Sequence, residues 1–177
     1  MASKSFNSFS LLSLAIFGAI LLSQGLVEAR GRVGVNPFCQ KAQYFKLCNG
    51  MVKNAKTEKE ASINAITSTR VLAAQIPVLT KAVTDTVNQG VTDPTAKESV
   101  IKQCTKVFQN AVEDLDLSLA AVGSDDVFTA ATKLSAINLS DCSDAMDEFG
   151  VTLPMQKVVT QFQRQVSNCL AVVQSKQ

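Results

Sequence analysis

The sequence contains no histidine and no tryptophan, and a single tyrosine among its 177 residues. Without histidine, neither a Ser-His-Asp nor a Cys-His nucleophile arrangement can be built. Histidine-bearing zinc sites fall for the same reason, and no C-x-x-C spacing offers an all-cysteine one. The eight glycines lie mostly in turns and form no phosphate-cradling loop. So few flat rings leave little for base stacking or a sugar platform. No catalytic residue, metal ion or cofactor is expected, and the chain does not read as an enzyme. Its net charge of +2 argues against nucleic acid or an anionic membrane surface as a partner.

Long apolar runs are also scarce. The one present, "LLSLAIFGAILL" (Leu11–Leu22), has 12 residues and is too short to span a bilayer. Lys4 precedes it and Val27-Glu28-Ala29 follows, which is the order of a secretory signal peptide cleaved after Ala29. Residues 1–29 are therefore expected to be removed, with no membrane association after cleavage. The mature chain, Arg30–Gln177, has 148 residues, enough for one domain with a sizeable core.

What is present is helical periodicity. The breaks are "NGM" (49–51), "NQGVTDP" (88–94), "VGSDD" (122–126) and "FGVTLP" (149–154). The segments around them carry apolar residues at steps of three and four. Leu72, Ile76, Leu79, Val83 and Val87 mark the first stripe. Val100, Cys104, Phe108, Ala111, Leu115, Leu119 and Val122 mark the second. Val127, Ala131, Leu134, Cys142, Ala145 and Phe149 mark the third, interrupted by Asn138. Met155, Val159, Phe162, Val166, Cys169 and Val173 mark the fourth. Asp93-Pro94, Ser124–Asp126 and Thr152–Pro154 supply helix starts, and Pro77 should kink the first helix. The pattern predicts an all-α, up-down-up-down four-helix bundle over about 58–177. A small disulfide-closed helical hairpin over about 36–55 would precede it.

In an oxidising compartment the five cysteines should pair, leaving one over. Cys39 and Cys48 have eight residues between them, and a disulfide would hold that short segment together. Cys104 lies 19 residues before the turn at Gly123 and Cys142 lies 19 after it. Antiparallel helices rise equally, so these two are level, and both sit on apolar stripes, as a disulfide requires. Against the turn near Val151, Cys142 and Cys169 would be offset by about 13 Å. Cys169 is therefore expected to be a free, buried thiol. On the chain-entropy estimate the two bridges contribute ~2.7 and ~4 kcal/mol.

Carboxylates remain. Asp141, Asp144 and Glu148 share one stripe of the third helix, which reads as a solvated face. Level matching across the same hairpin places Lys102 near Asp144 and Glu113 near Lys133, pairs worth ~0–1 kcal/mol. Asn138-Leu139-Ser140 is a formal glycosylation sequon. Asn138 precedes Cys142 by four residues, near the inward face, so its use is not expected.

Several of these residues together resemble the plant invertase/pectin methylesterase inhibitors, over about Asn36–Gln177. The carriers are the leading pair Cys39 and Cys48, and Cys104 and Cys142 flanking an acidic turn. "LSAI" (134–137), "DCSDAMDEF" (141–149) and the closing "SNCLAV" (167–172) are similar to family motifs, with Cys169 in place of an alanine. The resemblance implies a bundle with a helical hairpin, two disulfides, and secretion to the apoplast or cell wall. It also implies one-to-one binding that blocks a carbohydrate-active enzyme's cleft, the inhibitor itself being a monomer or weak homodimer. Invertase inhibitors tend to carry Pro-Lys-Phe at the start of the third bundle helix; here "DDVF" (125–128) keeps only Phe128. That points to pectin methylesterase, with cell-wall or vacuolar acid invertase as the alternative and a non-inhibitory secreted bundle as the second. The expected contact residues are Asp116, Asp125, Phe128, Asp141, Asp144 and Glu148, on the polar faces of the third helix and its neighbour.

Overall fold

A computed structural model describes residues 35–176. The expected signal peptide lies outside the described residues. Among them every regular element is a helix. A 3-10 turn, Pro37–Cys39, leads into α1 (Phe45–Val52). The bundle follows: α2 (Glu58–Ala73), α3 (Ile76–Gly90), α4 (Pro94–Gly123), α5 (Val127–Ala136), α6 (Ser140–Asp147) and α7 (Gln156–Val173). The leading segment is thus a short 3-10 helix and one short α-helix, closed by the Cys39–Cys48 disulfide.

The expected first and third helices are each broken in two. Pro77 cannot donate to the carbonyl of Ala73, and its ring crowds that same oxygen. The chain accordingly ends α2 at Ala73 and restarts at Ile76, with Pro77 tolerated in the first turn of α3. The second break, 137–139, has a side-chain cause. The Asn138 side-chain carbonyl accepts from the Ser140 N–H at 3.0 Å and its hydroxyl at 2.9 Å. This local turn competes with the helix and wins. Asn138 is exposed in this connection, so the sequon does not lie on an inward face.

Caps fix several starts. Thr57 accepts from Glu60 N–H at 3.1 Å, while Glu60 reaches back to Lys56 N–H at 2.8 Å. Asp93 caps α4 through Ala96 N–H at 2.7 Å. The expected start of α7 differs: Thr152 caps nothing, and Met155, at φ 55°, precedes the first helical residue. Phe149 ends up exposed in the turn after α6 instead of inside the bundle.

The core joins the halves. α4, the longest element, packs on α2, α3, α5 and α6; α7 packs on α2, α5 and α1. Phe108, Ile66, Leu79, Leu115, Leu134 and Met146 are fully buried. The end of α3 closes on the linker before α7: a Cβ on Gly90 would stand 2.7 Å from Val151 Cγ2. Only a residue without a side chain permits that approach.

Candidate functional site

The inward positions of α5 are Ala130 and Leu134. With those turned to α4 and α7, Phe128 is left outside, 77% exposed. Asp126 caps α5, accepting from Thr129 N–H at 2.9 Å. Hydrogen bonds from the Thr129 side chain and backbone hold the Asp126 carboxyl below the ordinary carboxylate value. Asp125 takes the left-handed region at φ 62° and pairs with Lys59 at 2.9 Å. Lys59 also donates to the Gly123 carbonyl at 2.8 Å, which ties the α4–α5 turn to the start of α2.

Next in the chain, α6 turns Cys142, Ala145 and Met146 inward. Steps of three and four then place Asp141, Asp144 and Glu148 together on its exposed side. Gln103 of α4 donates to the Asp141 backbone carbonyl at 3.0 Å. Cys104 and Cys142 are both fully buried and joined, with their Cα atoms 4.6 Å apart. That link fixes α6 against α4 and so sets where its acidic side points. Cys39 and Cys48 are joined as well, Cα atoms 5.8 Å apart.

The six expected contact residues therefore do not form one set. Asp141 and Asp144 on α6 and Glu148 at its C-terminal cap have no cation in ion-pair range among the described residues. Asp116 turns the other way, toward α2, where Arg70 grips both of its oxygens. Asp125 is likewise neutralised by Lys59. The level-matched pairs also shift. Lys133 meets Asp114, at 3.2 Å, instead of Glu113, and no ion pair joins Lys102 to Asp144. The break at 137–139 spoils the count for Asp144, which lies beyond it; Lys133 lies before it, and there the count is off by a single residue.

A further constellation joins α7 to the leading segment. Asn168 of α7 is fully buried and holds the backbone of Tyr44 at both groups. Its amide donates to the Tyr44 carbonyl at 3.0 Å, and its oxygen accepts from the Tyr44 N–H at 3.3 Å. The leading segment is pinned to α7 in this way. Beside it, the Cys169 sulfur lies 3.1 Å from the Thr69 hydroxyl of α2. Burial pushes this free thiol up to about 12. It is a packing group, not a nucleophile. The "SN" of the closing motif is the only signal that pointed to this position, and its partner is 124 residues away.

A family model, plant invertase/pectin methylesterase inhibitor, matches residues 34–172. The chain belongs to this family. Members are inhibitors of pectin methylesterase or invertase, and they act by binding an enzyme. The match runs from the leading segment to the end of α7, so both disulfides and the Asn168 lock lie inside the inhibitor domain. No curated protein and no solved structure matches the chain significantly. Among the described residues no acidic or cysteine cluster is arranged to hold a metal ion, and no helix is long and apolar enough to cross a membrane.

Proposed function

We propose that the protein is a secreted, non-enzymatic inhibitor of pectin methylesterase that binds the enzyme one-to-one and blocks its substrate cleft. The observation that carries the choice of target is the start of α5. There Asp125-Asp126-Val127-Phe128 stands where invertase inhibitors tend to carry Pro-Lys-Phe. Counting back from Phe128, Val127 takes the place of the lysine and Asp126, the helix cap, the place of the proline, so the cation is missing while Phe128 stays exposed. The acidic side of α6 follows directly and offers Asp141, Asp144 and Glu148 to basic groups on the enzyme. Charge complementarity of this kind fixes orientation and weakens with salt.

The test is a side-by-side titration of a plant pectin methylesterase and an acid invertase with the mature protein at mildly acid pH. Loss of pectin methylesterase activity with an end point at one inhibitor per enzyme supports the reading. Inhibition of invertase alone favours the alternative target. No inhibition of either at micromolar concentration leaves the non-inhibitory bundle as the better account.

A further inference from the structure

The net charge of +2 conceals a separation of charge along the chain. Residues 35–57 carry Lys41, Lys46, Lys53 and Lys56 and no acidic residue. Residues 149–177 carry Lys157, Arg164 and Lys176, again with none. Every Asp and Glu of the described chain lies in 58–148, where fourteen acids face seven bases. The fold then brings the two acid-free segments together, because α1 packs on α7.

Where they meet there is a groove of about 540 Å³. Lys157, Thr160, Gln161 and Arg164 line it from α7, and Leu47 lines it from α1. The α7 positions follow i, i+3, i+4, i+7, so they form one continuous stripe about 10 Å long between its two cations. A second hollow of about 290 Å³ shares Leu47 and Arg164 and adds Tyr44 and Lys46. Arg164 stands over the Tyr44 ring, 5.2 Å from its centre. The ring is held in place from behind, since Asn168 clamps the Tyr44 backbone. None of Lys46, Lys157 and Arg164 has an ion-pair partner among the described residues.

From this we infer that the α1–α7 groove binds a linear carboxylated polysaccharide, a polyuronate. Three cations, Lys157 and Arg164 in the groove and Lys46 in the adjoining hollow, with no acid lining either, suit an anion with repeated charges. The neutral hydrogen-bonding groups Thr160 and Gln161 between them suit hydroxyls, and a fixed aromatic ring suits the face of a sugar. A membrane or an apolar protein face is a poorer fit. The large exposed apolar side chains are Val71, Val78, Leu117, Phe128 and Phe149, and none of them lines the groove. The choice of polyuronate rests on the pectin methylesterase reading, because ester hydrolysis leaves carboxylates on the polymer. The groove would hold the inhibitor where that enzyme has already acted.

The experiment measures binding of the mature protein to polygalacturonate, to fully methyl-esterified pectin and to polyglutamate, at low and moderate salt. Polygalacturonate should bind most tightly, with affinity falling as salt rises. The double change Lys157→Gln with Arg164→Gln should weaken it by roughly tenfold or more, and Lys46→Gln by less. Tyr44→Ala should remove the preference over polyglutamate. Circular dichroism checks that each variant is folded. Inhibition of pectin methylesterase by the Lys157→Gln, Arg164→Gln protein should be unchanged, which separates this inference from the proposed function. Equal binding of the esterified polymer, equal binding by the double variant, or no binding overturns it. So does self-association of the protein alone that the double variant abolishes, since the groove would then hold the acidic face of a second copy.

Discussion

The two ends of the bundle are held by different means. At one end α7 packs on α1, α2 and α5, and buried polar contacts add to the packing. Asn168 locks the leading segment, and Cys169 stays a thiol against Thr69. At the other end α6 has eight residues and packs chiefly on α4. There the cysteine is cross-linked: Cys142 to Cys104. A long helix with several neighbours is held by its interior. A short helix with one neighbour cannot bury enough to stay, and a covalent link supplies what burial lacks. The comparison matters for the proposed function because α6 carries the acidic side proposed to meet the enzyme.

Removing the link should have the largest effect. Cys104→Ser with Cys142→Ser is expected to lower stability by ~2–5 kcal/mol in denaturant titration. Amide exchange should speed up in α6 before α7. A uniform rise across both helices would break the distinction between the two ends.

Asn168→Ala should come next. It strands the half-buried Tyr44 N–H, while the Tyr44 carbonyl keeps its bond from the Cys48 N–H at 2.9 Å, so the cost is about 1–2 kcal/mol. Residues 36–55 should lose exchange protection while the Cys39–Cys48 bridge stays intact by peptide mapping. Retained protection would mean that the disulfide and packing suffice without the lock.

Cys169→Ala should cost less, under ~1.5 kcal/mol if the site adjusts. The native thiol should resist alkylation at pH 8 and react on unfolding. Its folded value is raised, so its contribution is intact below the ordinary thiol value and is lost as pH rises toward 12. Rapid native alkylation near neutral pH would contradict its burial. Gly90→Ala should cost ~1–3 kcal/mol, because Val151 must move.

The smallest effect is at the Asp126 cap, which is fully exposed. Its carboxyl is held low, so the contribution is present above the ordinary carboxylate value and is lost as pH falls through the folded one. Asp126→Asn should flatten the acid side of the melting-temperature profile slightly.

The four-helix plan is legible in the sequence because the apolar stripes of α4 and α7 are long and regular. Val100, Cys104, Phe108, Ala111 and Leu115 are all buried at the spacing read from the chain. α2 is harder to read. Its inward side is Ala61, Ser62, Ala65, Ile66 and Thr69, small and partly polar, and so gives almost no contrast between faces. The break at 137–139 is hidden because Asn138 merely interrupts a stripe; its turn depends on which group its side chain chooses. The lock at Asn168 is a pairing over 124 residues, and periodicity within a helix carries no information about it. The candidate contact residues were chosen by charge and stripe, which cannot tell Asp144, open on α6, from Asp116, gripped by Arg70.

The most direct measurement of the central claim is the inhibition constant of the mature protein against pectin methylesterase, beside that of Asp141→Lys with Asp144→Lys, at mildly acid pH and two salt concentrations. The account predicts stoichiometric inhibition by the native protein and at least roughly tenfold weaker inhibition by the variant, with unchanged circular dichroism. Undiminished inhibition by the folded variant would contradict the assignment of the α6 face, and no inhibition by the native protein would contradict the account as a whole.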